Sequence, residues 1–577
     1  MKNRALRVLS YLLTVCMICT CVPMAAFAVP SAVTAGDSAY EMSEQDVAVL
    51  AEDTQAPQIK NIIFMIPDGA GYGSYDFSND VKTAGGFDDT KFPYRTPATT
   101  DPMTLRSYHA GSSITLNVYN SMTDSAAAGT ALSTGVKTIN NYVGVDRRKM
   151  PRANLTEAAQ SVGKATGIVS TYEWCHATPA SFTAHSLQRT AYDDFFRQIE
   201  NKGLQVVLGN GYGTVAGTIQ NAVDNGYTVV KTKAEMAAVK PGDKIWGNVY
   251  DSSFDFDIYN GSDTSTLAEM TNAAITALSA DEDGFFLMVE GSKVDTGGHS
   301  NSTHEMSSDY IAFDAAFKVA VDFAKGRNDT VVIAVPDHDT GELKYADLVA
   351  SGNLAAAVAE TQSGVDSALV EWGTGSHSTD NVPFWCYYPE GVTPLEGSKA
   401  FGEDYYGNSA REDYVVDNID IARWAASFME VDLDELTKEL FVDVTDIGIY
   451  DSVDKKFTFN NGDKYVYKDE GVYYLNGVKT EMEGLAIVIE EKVYVPAEII
   501  DEEDWNYVNG ASDGITGTGT KADPFVIDDA WDFLEFTNAM INGETYSGKY
   551  FVQNADIDMS SKPQYNGVLD DKTFAGY

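Results

Sequence analysis

The chain has 577 residues, with 85 aspartates and glutamates against 40 lysines and arginines, and its formal net charge is −45. So acidic a chain is unsuited to nucleic acid, which is bound through basic side chains that displace counterions from phosphates. The hydrophobic fraction of 44% excludes wholesale disorder, and the length corresponds to about three or four domains.

The first 28 residues have the features of a secretory signal peptide. A basic start is followed by a mostly apolar run from Val8 to Cys21 and by Ala26-Phe27-Ala28, a small-x-small cleavage pattern. The run is shorter than the ~20 residues that a membrane-spanning helix needs, and no later stretch is apolar enough to span a bilayer. We therefore predict an exported mature chain without a transmembrane segment. Residues 29–56, rich in Ala, Ser, Asp and Glu, are predicted as a linker.

Residues 57–445 are predicted to form one large unit, in which short apolar runs alternate with helical patterns. Apolar residues at helical spacing predict a helix over 302–324. Uninterrupted apolar strands separated by helices are typical of an α/β fold, with a mostly parallel sheet sandwiched by helices. Such sheets bind ligands at the carboxyl ends of their strands, so the polar residues after each run are the functional candidates. The predicted strands are residues 62–66, 166–170, 285–289 and 331–335.

The remaining residues predict mostly β structure. Short apolar and aromatic runs beside the turn signals Asn461-Gly462 and Asn476-Gly477 predict a small all-β module over residues 446–505. We interpret residues 506–577 as the start of a β-solenoid-like repeat region that continues in a longer natural protein and could attach it to a cell surface. The elements expected there are a helix around Trp531 and strands at 550–552 and 556–558.

Five groups of polar side chains are candidates for the chemistry, and most of them follow predicted strands. Carboxylates and imidazoles are ligands that zinc prefers, and an arginine fork can hold two oxygens of an oxyanion. Most of these groups, taken alone, fit a turn, a helix cap or a solvated loop at least as well. The groups are Asp68; Ser125; His176, Thr178 and Arg189; Glu290, Asp295 and His299; and Asp337, His338 and His377.

Two of these groups leave alternatives open. Ser125 begins an Ala-rich stretch, where it is either the cap of a helix or a nucleophile that faces an anion at the helix N-terminus. Asp295 and His299 are four residues apart, so they can share one ion if the segment is helical or tightly turned. The remaining histidines are interpreted as structural residues: His109, His185 and His304.

In this order and at these separations, the five groups resemble the motifs of the alkaline phosphatase family over roughly residues 57–430. The segment Ser133-Thr134-Gly135-Val136-Lys137-Thr138 also matches a family motif. The resemblance implies hydrolysis of phosphate monoesters through a phosphoserine intermediate on Ser125. It further implies that Arg189 holds two phosphate oxygens and that His176 borders the bound phosphate.

The same resemblance implies three metal ions. His176 and Thr296 occupy positions that vary within the family, so the identity of the third metal stays open. The implied ligands are Asp68, Asp337 and His338 for a first zinc beside Ser125; Asp295, His299 and His377 for a second zinc; and Asp68, Thr178 and Glu290 for a magnesium-type ion.

Two alternative functions have to be weighed. One is a phosphodiesterase or another hydrolase of the superfamily, although Ser125 lacks the Cys/Ser-x-Pro-x-Arg context of sulfatases. The other is a non-enzymatic cell-surface binding protein with a degenerate site, which the presence of every ligand position disfavours. Family members are often dimers, so a homodimer is one arrangement to expect. The β modules resemble those of exported Gram-positive proteins, which predicts a secreted or cell-surface protein.

Overall fold

The structure is a computed structural model that describes residues 57–210, 218–248, 255–395, 398–399, 414–460, 462–500, 504, 519–521, 524–527 and 549–553. The predicted signal peptide and linker lie outside these described residues, as do the helix around Trp531 and the strand at 556–558. Within the described ranges, no helix combines the length and the apolar character that crossing a bilayer requires.

One large sheet organises the described part of the N-terminal 417 residues. Its strands, in chain order, are β1 (Asn61–Pro67), β2 (His109–Ile114), β3 (Ala165–Glu173), β4 (Val206–Asn210), β5 (Thr228–Val230), β6 (Ile245–Asn248), β7 (Phe285–Gly291), β8 (Thr330–Ala334), β9 (Val382–Tyr387), β10 (Ser398–Lys399) and β11 (Tyr414–Asp417). Among the described residues, these eleven strands lie in the order β10-β11-β2-β9-β8-β1-β7-β3-β4-β6-β5.

The four runs predicted as strands are neighbours at the centre of this sheet. Strand β1 pairs in parallel with β7 on one side and β8 on the other, and β7 pairs in parallel with β3. Strand β9 runs antiparallel to both its neighbours, and β10 runs antiparallel to β11. The prediction of a mostly parallel sheet is confirmed. Because the central strands point the same way, their carboxyl ends meet at one edge of the sheet.

Helices pack on both faces of the sheet, which explains the uninterrupted apolar character of β1. Phe64 and Ile66 belong to the apolar cluster on one face, and Ile63 and Met65 belong to the cluster on the other. The helices, in chain order, are α1 (Tyr72–Thr83), α2 (Ser125–Thr134), α3 (Leu155–Ser161), α4 (Ala177–Ser181), α5 (Tyr192–Lys202), α6 (Thr218–Asp224), α7 (Lys233–Ala237), α8 (Leu267–Leu278), α9 (Lys293–His299), α10 (Thr303–Ala324), α11 (Tyr345–Ser351), α12 (Leu354–Gln362), α13 (Asn418–Ser427) and α14 (Leu433–Leu440).

Helix α10 corresponds closely to the helix predicted over 302–324. Its side chains contribute to the apolar cluster that contains Ile63 and Met65, through residues such as Ile311 and Phe317. Ser302 caps its first turn by accepting a hydrogen bond from the backbone N–H of Glu305. The polar first turn and the apolar face therefore fix both the start of the helix and the side that it buries.

After α14 the chain forms small, mostly antiparallel sheets, which we call the C-terminal β region (residues 442–495). Five strands form a meander, and a further three form a second sheet in the order β12-β19-β18. Asn476 and Gly477 both have positive φ, as the Asn-Gly turn signal predicts. The strands are β12 (Val442–Asp443), β13 (Gly448–Asp451), β14 (Lys456–Phe459), β15 (Lys464–Tyr467), β16 (Val472–Leu475), β17 (Val478–Glu481), β18 (Ile487–Ile489) and β19 (Lys492–Val495).

Two further strands, β20 (Phe525–Ile527) and β21 (Phe551–Gln553), pair in parallel near the end of the described residues. Strand β21 overlaps the predicted strand at 550–552. Parallel pairing of short strands is the arrangement expected of a β-solenoid. The repeat array and the domain boundaries predicted from the sequence stay predictions.

A buried ionic cluster stabilises the start of α3. The Glu157 carboxylate lies 3.0 Å from His185 Nε2 and contacts the Lys202 ammonium. The same carboxylate accepts a hydrogen bond from the backbone N–H of Asn154, which caps the helix in return. Burial by itself raises the pKa of Glu157, but Lys202 and His185 outweigh that effect and lower the pKa to about 2.

We expect this cluster to make stability depend on pH below the ordinary pKa of glutamate. A carboxyl with a pKa of about 2 in the folded chain and 4.5 in the unfolded chain stabilises the fold above pH 4.5, and it loses this contribution, about 3 kcal/mol, as the pH falls toward 2. In urea titrations, the free energy of unfolding of Glu157→Gln should therefore fall less steeply over this pH range than that of the unmutated chain. The exposed Glu439→Gln is the matched control, and identical pH slopes for Glu157→Gln and the unmutated chain would contradict the prediction.

Candidate active site and metal centre

Three buried carboxylates meet where the central strands end. Asp68 directly follows β1, Glu290 lies at the end of β7, and Asp337 follows β8 by three residues. Backbone contacts lock these ends together, because Asp68 N donates to Gly291 O over 3.2 Å and Gly69 N donates to the Asp337 carboxylate over 3.1 Å. The parallel register of the sheet thus brings together side chains that are more than 200 positions apart in the sequence.

These carboxylates are incompletely compensated within the described part of the chain. Asp68 Oδ1, Glu290 Oε1 and Asp337 Oδ2 are buried without a hydrogen-bond partner. Burial is the main cause that raises the pKa of all three groups, and for Asp68 the charge of Asp337 adds to it; the pKa of Asp337 reaches about 8. Burying carboxylates in this way is costly unless cations compensate them. The three free oxygens therefore fit a site built for positive ions.

His338 completes a first group of metal-ligating atoms. Asp68, Asp295 and His338 each offer one atom, and these atoms lie within 4.8 Å of one another. Asp337 Oδ2 lies 3.2 Å from His338 Nε2, so it borders the same space. The resemblance assigned Asp295 to the second metal only. In the structure its carboxylate belongs both to this first group and to a second group, which contains His299 and His377.

Asp295, His299 and His377 form the second group, again with atoms within 4.8 Å of one another. Asp295 and His299 lie one turn apart on α9, so the helical alternative left open by their spacing is the one observed. The Nε2 atoms of the two histidines face the same carboxylate oxygen, Asp295 Oδ1. The distance to it is 3.4 Å from His299 and 3.7 Å from His377. Imidazole nitrogens and carboxylate oxygens in this combination suit zinc.

The other ring nitrogen of each histidine has a partner that fixes the ring. His299 Nδ1 lies 3.0 Å from Gly375 O, and His377 Nδ1 lies 2.8 Å from Thr123 O. Since a carbonyl oxygen only accepts hydrogen bonds, each Nδ1 carries a proton, and each ring turns its Nε2 toward the site. His338 Nδ1 contacts Thr340 Oγ1 over 3.2 Å. This arrangement is typical of metal-binding histidines.

The Gly297-Gly298 pair lets α9 pack close enough to place these ligands. A Cβ at Gly297 would lie 2.6 Å from the Met306 backbone nitrogen, and one at Gly298 would lie 2.8 Å from the Thr340 carbonyl oxygen. Any larger residue would push α9 away from α10 or from the segment after β8. The two glycines therefore set the distance between Asp295 and His338.

Ser125 is the first residue of α2, and its side chain faces the first metal-ligating group. Its Oγ lies 3.3 Å from His338 Nε2, and the residue is buried. The helix cap is Asp124, whose carboxylate accepts a hydrogen bond from Ala127 N over 2.9 Å. Because Asp124 fills the capping role, the Ser125 hydroxyl is left pointing into the site.

Asp124 also orients Arg189, a role that sequence reasoning missed. Arg189 Nη1 lies 3.0 Å from Asp124 Oδ2, so one carboxylate serves both the helix and the guanidinium. The available signal was an aspartate directly before the first residue of an Ala-rich helix, which is the preferred cap position. Two further residues were missed: Thr340, which donates to Asp295 Oδ1 over 2.6 Å, and Ser170, which donates to Glu290 Oε2 over 2.5 Å.

Thr178 and His176 lie beside this centre on α4 and its cap position. Thr178 Oγ1 lies 3.5 Å from Asp68 Oδ2, and Glu290 approaches both Thr178 and Asp68. The His176 ring packs edge to face against Tyr172, with 5.1 Å between ring centroids. Burial, followed by the charges of Arg189 and Lys293, lowers the pKa of His176 to about 3, so its imidazole is neutral at physiological pH.

The three histidines interpreted as structural make contacts of their own. His109 contacts the Tyr72 hydroxyl over 3.0 Å, and His304 Nδ1 lies 2.7 Å from an Asp366 carboxylate oxygen. His185 belongs to the buried cluster of Glu157. In the described ranges, the two metal-ligating groups include none of these three.

Comparison with known proteins identifies the family. A profile described as Alkaline phosphatase matches residues 59–381, more than half of the chain. This chain belongs to the alkaline phosphatase family. It is 36% identical over 299 residues to alkaline phosphatase 3 of Bacillus subtilis (strain 168), a match that covers 49% of this chain and 62% of that relative. Alkaline phosphatase 4 of the same strain is 35% identical over 321 residues, or 54% of this chain and 68% of the relative.

The fold of this family member is also similar to solved alkaline phosphatases. The crystal structure of the cold-active alkaline phosphatase of the psychrophile Shewanella sp. superposes with a TM-score of 0.52 and 22% identity. The superposition covers 64% of this chain and 99% of the Shewanella chain. At this level of identity the likeness concerns the fold alone.

The double role of Asp124 generates a test by two substitutions. Asp124→Ala removes the cap and the ion pair, so the free energy of unfolding should fall by about 1–2 kcal/mol. Asp124→Asn keeps a side chain that caps equally well, so it should lose less than about half of that amount. Urea titrations of both variants measure the difference, and equal stability of the two would show that Asp124 does not cap α2.

Proposed function

We propose that this chain is a metal-dependent phosphomonoesterase that uses the Ser125 hydroxyl as its nucleophile. One observation carries the proposal: Ser125 Oγ lies 3.3 Å from His338 Nε2, beside buried carboxyl oxygens that lack hydrogen-bond partners. A hydroxyl at a helix N-terminus and within reach of metal-ligating groups is suited to attack an anionic phosphorus centre. Membership of the alkaline phosphatase family supports the same reaction.

The donor side chains fit divalent metal ions, since unpartnered carboxyl oxygens and oriented imidazole nitrogens surround the same space. When bound, such ions supply positive charge that favours ionisation of the nucleophile and stabilises the departing oxygen. The residues that we assign as ligands are Asp68, Asp337 and His338, with Ser125, for one zinc; Asp295, His299 and His377 for a second zinc; and Asp68, Thr178 and Glu290 for a magnesium-type ion.

Ser125 carries the covalent part of the proposed reaction. Its Oγ attacks phosphorus as the bond from phosphorus to the alcohol oxygen breaks, and the products are a phosphoserine and the free alcohol. The proton that Ser125 loses balances the proton that the departing oxygen gains. Water then attacks the phosphoserine, which releases inorganic phosphate and restores the hydroxyl.

Arg189 and the N-terminus of α2 bind the phosphate in this mechanism. Asp124 engages Nη1 of the guanidinium and leaves its other N–H groups available for two phosphate oxygens. The first backbone N–H groups of α2 and the helix dipole favour the same anion. The neutral His176 ring borders this position and adds no charge of its own.

The alternatives are less well supported. A donor side chain occupies every assigned ligand position, which favours an enzyme over a surface-binding protein with a degenerate site. A diester has one anionic oxygen fewer for Arg189 and the helix terminus to hold, which favours monoesters. We also propose that residues 1–28 direct export, that the C-terminal part contributes to attachment at a cell surface, and that the chain forms a homodimer.

The proposal predicts metal-dependent hydrolysis of an aryl phosphate that requires Ser125. Removal of metal by a chelator should abolish activity, and zinc with magnesium should restore it. Ser125→Ala should lower kcat by about 10³-fold or more, because it removes the nucleophile of the covalent step. Ser133→Ala, whose hydroxyl bonds to the Ser181 carbonyl away from the site, is the matched control.

An aryl diester and an aryl sulfate assayed in parallel separate this proposal from its alternatives. Faster hydrolysis of the diester or of the sulfate would replace the monoesterase assignment by that activity. No hydrolysis of any of the three substrates by metal-loaded protein would reject the enzyme assignment.

A further inference from the structure

Arg189 lies in a short loop, residues 186–191, whose position depends on contacts at its two ends. At one end, Ser186 pairs with Val143 through two backbone hydrogen bonds of 2.8 Å. At the other end, Ala191 leads directly into α5. The position of the Arg189 guanidinium therefore follows the position of α5 as well as that of the Asp124 carboxylate.

Gln198, on α5, ties the helix back to the start of this loop. Its Oε1 accepts a hydrogen bond from His185 N over 2.8 Å, and its Nε2 donates to His185 O over 3.1 Å. The same Nε2 donates its second hydrogen to Asp469 Oδ1 over 3.1 Å. The buried amide is thus fully engaged, and its orientation is set by one backbone segment and one carboxylate.

Asp469 belongs to the C-terminal β region, in the turn between β15 and β16. Its side chain is fully buried. Besides the bond from Gln198, its carboxylate forms an ion pair with Arg197, whose Nε lies 3.4 Å from Asp469 Oδ2. Asn201 Nδ2 donates to its carbonyl oxygen over 2.9 Å. The neighbouring Lys468 lies 2.8 Å from the Asp194 carboxylate. One turn of the β region therefore contacts four side chains on a single face of α5.

The backbone of Asp469 has an unusual conformation in this turn. Its φ of +64° is a left-handed conformation, which is uncommon for a residue other than glycine. Its backbone N–H donates to Ala486 O over 2.7 Å, so a second segment of the β region fixes its backbone. Such a conformation persists where surrounding contacts impose it.

We propose that Asp469 is a positioning residue for the phosphatase reaction, which acts on Arg189 through Gln198 and α5. The inference rests on the function proposed above and extends it to a region outside the matched family profile, which ends at residue 381. Loss of the carboxylate would leave a buried hydrogen of Gln198 without its partner and would remove one acceptor of the half-buried Arg197. Rotation of Gln198 would break its two hydrogen bonds to the His185 backbone, and α5 would lose this attachment to the start of the loop that carries Arg189.

The test is a double-mutant cycle between Asp469 and Arg189. We expect Asp469→Ala to lower kcat/KM for an aryl phosphate by about tenfold and to raise the inhibition constant of inorganic phosphate, because small misplacements of a substrate-holding group cost this much or more. In the Arg189→Ala background, the same substitution should change kcat/KM by less than about twofold, since the group that it positions is gone.

Two further variants separate positioning from loss of stability. Asp469→Asn keeps an oxygen acceptor for Gln198, so it should retain at least about half of the kcat/KM. Asp443→Ala removes another buried carboxylate of the β region, one that pairs with Lys492 over 3.2 Å and accepts hydrogen bonds from Thr445. We expect Asp443→Ala to lower thermal stability and to leave the inhibition constant of phosphate unchanged.

The outcomes distinguish the two proposals. Two results would overturn the positioning role. One is an equal loss of kcat/KM from Asp469→Ala in the unmutated chain and in the Arg189→Ala chain. The other is an effect of Asp443→Ala on kcat/KM and on the inhibition constant of phosphate as large as that of Asp469→Ala. If Asp469→Ala does not fold, Gln198→Met enters the same cycle with the same expectations. Arg189→Ala with unchanged kinetics, or an unmutated chain without hydrolysis, would instead reject the proposed function together with this extension of it.

Discussion

The electrostatic cost of the buried carboxylates at the carboxyl edge of the sheet is the constraint on which the rest of the site depends. Asp68, Glu290 and Asp337 are brought together by the register of β1, β7 and β8, and each has one oxygen that lacks a hydrogen-bond partner among the described residues. A fold stabilised by its own contacts alone would not retain such a group. The surrounding structure therefore holds buried negative charge at a place where bound cations would compensate it.

Backbone atoms orient two of the histidines at the site, whereas hydroxyl side chains contact Asp295, His338 and Glu290. The carbonyl oxygens of Thr123 and Gly375 accept hydrogen bonds from Nδ1 of His377 and of His299, respectively, which fixes the two rings. Both carbonyls lie on loops, but these loops are anchored beside α2 and α9. Precise placement of the metal-ligating atoms thus comes from secondary structure close to the site, which costs less entropy than ordering long side chains.

Asp124 links the two functions that a phosphate site must combine. It satisfies one N–H group at the start of α2, that of Ala127, and it holds Arg189 beside the same helix terminus. Ser125, the N-terminus of α2 and Arg189 are therefore all positioned by Asp124 or directly beside it. The C-terminal β region contacts the helix that follows Arg189, through the hydrogen bond between Gln198 and Asp469.

The sequence by itself determined the central strands, the helix α10, and which polar residues follow each strand, because these features depend on local periodicity. The order and separation of its polar motifs resemble the alkaline phosphatase family, and this resemblance supplied the candidate ligands. Only the tertiary structure decided that Asp295 lies between both metal-ligating groups, that Asp124 caps α2, and that Asp469 contacts Gln198. These contacts join residues through the order of strands and the packing of helices, for which no local pattern in the chain provides a signal.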